Sequence, residues 1–239
     1  MQRIVKALAA VMLLTVMFTM GCAPEEDPYN GGNNNGDAET HEYVDLNLPS
    51  GTLWATCNLG ADTPEGYGDY FAWGETQSKT SYDWSTYKYC KGGFDQLIKY
   101  CNASNYGYHG FKDDLSSLLP EDDAATVNWG NDWCMPTTAQ WGELYQNTTN
   151  NWTTQNGVNG ILFTASNGNS LFLPAAGFRS DDDLNYVGAI GYYWSSILCP
   201  SPPCTAWYFD FVSYSHSLDY GILRNCGQSV RAVRSVCQN

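Results

Sequence analysis

The chain of 239 residues carries 25 acidic against 11 basic side chains, a net charge of -14 and a pI near 4.3. Nucleic acid and anionic membrane surfaces both call for a basic footprint, so this balance excludes them as partners. Aromatic residues make up 15% and charged residues only 15%, which suits one sizeable core rich in Trp and Tyr.

Basic Arg3 and Lys6 precede an apolar run over residues 7–20, too short for a membrane-spanning helix and built like the h-region of a secretory signal. The run ends in "TMGC", similar to a bacterial lipobox, although Thr19 and Met20 depart from its usual positions. The expectation is a signal peptide over residues 1–21, with Cys22 lipidated as the mature N-terminus. Residues 22–41, "CAPEEDPYNGGNNNGDAETH", hold almost no large apolar group and read as a flexible tether. The acids Glu25, Glu26 and Asp27 resemble export signals of lipoproteins that reach the outer face of the outer membrane; a solvated linker is the alternative. Contact with the membrane is then expected through the lipid alone, on an outer-membrane lipoprotein exposed at the cell surface.

Residues 42–239 read as one domain. "EYVDLNLPSGTLWATCNLG" alternates and turns at Pro49, Ser50 and Gly51, a strand pair. Loops follow, "YGDYFAWGET" and "YDWSTYKYCKGGFDQ", whose aromatics anchor them to a core. Pro120 beside an acidic first turn in "LPEDDAATVNW" starts one short helix. Thr137 caps a second, with Gln140 three residues on and Trp141, Leu144 and Tyr145 on one face. Two apolar runs joined by Asn167, Gly168 and Asn169 predict a hairpin. The fold class is α+β, with short strands, two short helices and long aromatic-rich loops.

Nine cysteines, less the lipidated one, leave eight in a compartment where disulfides persist. The spacing does not determine the pairing; Cys90 with Cys101, Cys199 with Cys204 and Cys57 with Cys237 are the expected bridges.

The motifs "YVDLNLPSGTLWATCNLGADTPEGYGDYFAWGET", "PEDDAATVNWG", "WCMPTTAQWGEL", "NGNSLFLPAAGFR", "GYYWSS" and "SVRAVR" together resemble the Fibrobacter succinogenes major paralogous domain family over nearly all of residues 42–239. The resemblance implies a C-type-lectin-like fold related to formylglycine-generating enzymes, with the N- and C-terminal strands close together. Cys134 stands where that family usually has Arg. A fold does not supply a function, which has to come from sites.

Catalysis finds little support. His41, His109 and His216 are scattered, and no nucleophile elbow, Walker loop or paired-histidine zinc motif occurs. Cys199 and Cys204 resemble in spacing and place the copper-binding pair of formylglycine-generating enzymes, but Pro200, Ser201, Pro202 and Pro203 lie between them. Asp181, Asp182 and Asp183 offer oxygens to a hard cation, yet such a run is usually solvated. The expectation is a protein that is not an enzyme and takes no cofactor or metal.

Binding remains. In "AWYFDFVSYSHSLDYGILRNCGQSVRAVR", Trp207, Phe209 and Phe211 fall on one strand face and Tyr208, Asp210, Val212 and Tyr214 on the other. The first set reads as core and the second as a contact surface. From Ser195 to Cys226 there is no Lys, Glu, Gln or Met, and the only Trp is Trp207. That absence, on the order of a few per cent by chance, resembles the C-terminal variable region of proteins diversified by retroelements on the same scaffold. The alternative is an ordinary family member whose outer strand drifted. The expected ligand-binding residues are Tyr208, Asp210, Val212, Tyr214, His216, Leu218, Asp219, Tyr220, Leu223 and Asn225, facing a protein or glycan ligand. A copper-dependent oxidase and a component of a surface assembly are the alternative functions.

Overall fold

A computed structural model describes residues 41–218 and 220–234. The signal segment, Cys22, most of the expected tether, Asp219 and Cys237 lie outside the described residues.

The architecture is mostly β-sheet with two short α-helices, an α+β arrangement. In chain order, strands β1 (Tyr43–Asp45) and β2 (Leu53–Ala55) form the first hairpin, then a long irregular stretch leads to α1 (Ala124–Trp129) and α2 (Thr138–Gln146). Strands β3 (Thr148–Gln155), β4 (Val158–Ala165) and β5 (Ser170–Pro174) form a meander, and β6 (Phe178–Ser180) with β7 (Asp183–Asn185) a small hairpin. Strands β8 (Gly191–Leu198), β9 (Thr205–Val212), β10 (Ser215–Ser217) and β11 (Gly221–Leu223) form the largest sheet. β12 (Val233–Arg234) returns to pair antiparallel with β2, so the described ends of the chain meet in one sheet.

Local chemistry accounts for the helices. Asp123 caps α1 by accepting from the backbone N–H groups of Ala125 and Thr126, and its other oxygen takes the Met135 amide at 2.8 Å. Thr137 and Gln140 close a reciprocal capping box on α2. The predicted turn around Asn167 and Gly168 joins β4 to β5 in antiparallel register, and Gly168 takes a left-handed φ of 86°.

Two hydrophobic clusters form the core, and the sheet of β8 and β9 runs between them. Tyr193, Phe209 and Phe211 belong to the cluster built on Trp54, Trp141 and Phe163, where Trp141 stacks on Phe209 at 5.0 Å. Trp194 and Ala206 belong to the other, with Trp73, Tyr87 and Tyr100, and Tyr208 packs against it. Each fully buried aromatic contributes about 1.5–3 kcal/mol of burial. Trp207, expected in the core with Phe209, is half-buried and joins neither cluster.

Two arginines are fully buried without a carboxylate partner among the described residues. Arg224 donates to the carbonyls of Tyr100, Pro203 and Lys99 and to the Tyr87 hydroxyl, and lies 5.3 Å from the Trp73 and Tyr87 rings. Arg231 donates to Asn58 Oδ1 and to the carbonyls of Ala55 and Thr56; burial pulls its pKa down to about 10. Together they fasten the chain's last described turns to loops far back in sequence.

The expected disulfides are not formed among the described residues: Cys57, Cys90, Cys101, Cys199 and Cys204 are free thiols. Cys90 instead donates to the Trp84 carbonyl at 3.0 Å, Cys101 to Ala103 at 3.2 Å and Cys199 to Ser201 at 3.6 Å, each closing its own turn. Local thiol to carbonyl bonds thus occupy positions where the sequence suggested covalent closure.

Candidate binding face

β9 is shared on its two edges. β8 pairs along one, placing Tyr192 opposite Asp210 and Trp194 opposite Tyr208. Along the other lie β11, with Gly221 opposite Trp207, and β10, with Ser217 opposite Asp210. Cross-strand neighbours share a face, so Tyr192, Tyr208, Asp210 and Ser217 project together.

The small hairpin of β6 and β7 extends this face. Gly177 and Gly191 bridge the hairpin to the main sheet. A Cβ on Gly177 would meet the Asn185 carbonyl of the hairpin itself at 2.0 Å, and one on Gly191 the Phe211 ring of its own sheet at 2.1 Å, so each position requires glycine for its own neighbour. Phe178 is thereby set beside Tyr192, ring centroids 5.0 Å apart; Tyr186 stacks on Phe178 at 6.0 Å, and Tyr192 on Tyr208 at 5.6 Å. Four rings make a continuous strip, open at one end where Tyr186 is 59% exposed. At the other end, Tyr208's hydroxyl is pushed up first by burial, then by Asp210 and by the Tyr192 and Tyr220 phenols, so these groups converge. Tyr220 is 67% exposed.

Asp210 is the polar centre. Burial raises its carboxyl above the ordinary carboxylate range, the Ser217 backbone amide opposing. Its Oδ1 is buried without a hydrogen-bond partner. A buried acceptor left unpaired costs about 1–3 kcal/mol.

The expected site residues therefore divide. Tyr208 and Asp210 lie within the strip, Tyr220 beside it, and half-buried Val212 follows on the same face. Tyr214 is 88% exposed in the turn between β9 and β10, and Leu223 is exposed on β11. His216 pairs with Phe211, which turns it to the opposite face, where it stacks on Tyr145 at 3.6 Å. Half-buried Leu218 packs against the second core cluster. Asn225 is buried, with Nδ2 donating to the Tyr82 carbonyl at 2.8 Å, so it braces the aromatic loop. His216, Leu218 and Asn225 thus lie off the face of Tyr208 and Asp210, because strand alternation does not run through the turns after Val212.

Phe178, Tyr186 and Tyr192 are the members that sequence reasoning missed. Period-two alternation through "GYYWSS" separates Tyr192 from Tyr193, and that signal was present. Asp181, weighed as a cation ligand, is a turn residue with φ of 52°, its backbone paired to that of Tyr82. Among the described residues no group of three or more His, Cys, Asp or Glu is arranged to hold a metal ion, and no helix is long and apolar enough to cross a membrane.

No family model, curated protein or solved structure matches the chain.

Proposed function

We propose that this protein is a ligand-binding surface lipoprotein without catalytic activity, anchored through Cys22 to the outer membrane, whose C-type-lectin-like domain grips a protein or glycan on the face of β8 and β9. The observation that carries the reading is the aromatic strip of Tyr186, Phe178, Tyr192 and Tyr208 ending at Asp210, whose Oδ1 has no partner. Aromatic rings offer large contact area at low conformational cost, and a rigid sheet holds them in place. Anchoring and export rest on the signal-like segment and "TMGC".

The test screens the full chain against arrays of extracellular glycans and displayed surface proteins, alongside Tyr192→Ala and Tyr208→Ala. Ligands retained by wild type and lost by both variants support the face; ligands held equally by all three place binding elsewhere. Retroelement diversification has its own check: a reverse transcriptase gene and a near-copy of the sequence coding for residues 194–231 beside this gene.

A copper-dependent oxidase is the second reading. Burial is the main cause that pushes the Cys204 thiol up, and the Cys199 and Cys101 thiols each add to the shift. Stable one-to-one Cu(I) uptake, lost on Cys199→Ser, would favour it. A structural role in a surface assembly would show instead as strand exchange between copies.

A further inference from the structure

We infer that an open pocket of about 540 Å³ beside Arg179 is a second binding site, for a single carboxylate flanked by hydroxyl groups, as an acidic sugar unit presents it. It lies apart from the proposed ligand face, because alternation along β6 sends Phe178 to the aromatic strip and Arg179 to the pocket.

Arg179 is the anchor. Its guanidinium carbon sits 5.4 Å from the centroid of the Tyr70 ring. That ring is fixed in turn, since the Tyr70 hydroxyl donates to the Ala176 carbonyl at 2.6 Å. Among the described residues no carboxylate comes within the 4.0 Å of an ion pair with Arg179. A guanidinium seated beside a fixed ring, with its donors free, suits a planar carboxylate, which it can grip through two parallel bonds.

The surrounding groups narrow the ligand. Lys79 also lines the pocket, but its ammonium is held by Glu75 at 2.9 Å and the Thr86 carbonyl at 3.1 Å, so its charge is already matched. Asp69 and Asp182 stand exposed at the rim. They accept hydrogen bonds from ligand hydroxyls and repel a doubly charged group such as phosphate. The pocket's volume falls within the usual range for small-ligand sites and admits a sugar unit.

The experiment titrates the full chain with glucuronate, glucose and inorganic phosphate, following the Arg179 Nε–H signal by NMR. Glucuronate is expected to move that signal and to bind at least about tenfold more tightly than glucose or phosphate. Arg179→Lys, which keeps the charge and loses the fork, should weaken glucuronate by about tenfold, and Arg179→Gln should abolish binding. Tyr208→Ala should leave glucuronate affinity unchanged, which separates this site from the proposed face. An unmoved Arg179 signal, equal affinity for glucose, or undiminished binding by Arg179→Lys would overturn the assignment, as would equal loss in Tyr208→Ala. Wild-type selectivity and the Arg179 signal decide the matter even if a variant fails to fold.

Discussion

The Tyr192 and Tyr208 rings stack across the pairing of β8 and β9, centroids 5.6 Å apart and planes 20° from parallel. Tyr208 also packs against the first core cluster, so a single ring serves both fold and surface. Tyr208→Ala should therefore lose ligand binding and about 1–3 kcal/mol of stability, since stacked pairs are worth about 0.5–1.5 kcal/mol beyond burial. Tyr186→Ala, at the exposed end, should weaken binding while shifting stability by less than about 1 kcal/mol. Urea unfolding of both variants, set beside their binding, separates the two contributions.

Asp210 predicts an inverse dependence on pH. Its folded pKa is raised by burial, so the folded state holds a proton that the unfolded chain has already released. Stability linked to Asp210 is therefore full below the ordinary Asp value of about 3.9 and declines as pH rises through the raised folded value. Asp210→Asn keeps the neutral shape, so it should be more stable than wild type at pH 7, with the difference vanishing near pH 3. Unfolding measured on both proteins across this range checks the sign; a variant less stable at pH 7 would show that the charged carboxylate is supported in the fold.

Asp122 predicts the opposite slope. Burial would raise its pKa, but the Lys99 ammonium and the Tyr89 and Tyr100 hydroxyls outweigh that and hold it below the ordinary carboxylate range. Its contribution is present above the unfolded pKa and is lost as pH falls through the folded one. Asp122→Asn should cost stability at neutral pH and lose that deficit in acid. Comparing Asp122→Asn with Asp210→Asn in one pH series places the two differences with opposite signs.

Arg224 is held by three carbonyls and one phenol between two rings. A lysine keeps the charge but cannot reproduce the fork, leaving buried acceptors unpaired at about 1–3 kcal/mol each. Arg224→Lys should thus destabilise by about 2–4 kcal/mol, measured by chemical denaturation. A change under about 0.5 kcal/mol would mean that the carbonyls find other donors.

The thiols should differ in reactivity. Burial raises the Cys226 pKa to about 11, whereas Cys57 is partly exposed. Alkylation of the native protein at pH 8 should modify Cys57 at least about tenfold faster than Cys226, as read by peptide mass mapping. Equal rates would point to opening of the segment around Cys226.

Elements governed by neighbouring residues were legible in the sequence. The capping box at Thr137 and the turn at Gly168 are local chemistry, and both are found where expected. β3 was hidden because "TTNNWTTQ" lacks apolar alternation and is recruited by its register with β4. The face of Tyr208 and Asp210 follows from period-two alternation in β9, but its partners Phe178 and Tyr186 arrive through the close approach of Gly177 and Gly191, which spacing does not encode. Cys90 with Cys101 and Cys199 with Cys204 misled because ends of one short excursion were read as bonded, while the Cys90, Cys101 and Cys199 thiols satisfy nearby carbonyls.

The two buried guanidiniums have a consequence for how the chain acquires its fold. Arg224 and Arg231 lie within the last sixteen residues of the sequence, yet their acceptors sit at Ala55, Thr56, Asn58, Lys99 and Tyr100. Synthesis from the N-terminus presents those carbonyls before the guanidiniums that satisfy them, so these contacts close only after the segment holding Arg224 and Arg231 is made. A chain truncated before Arg224 is a polypeptide without its clasp, its loop carbonyls left without their donors.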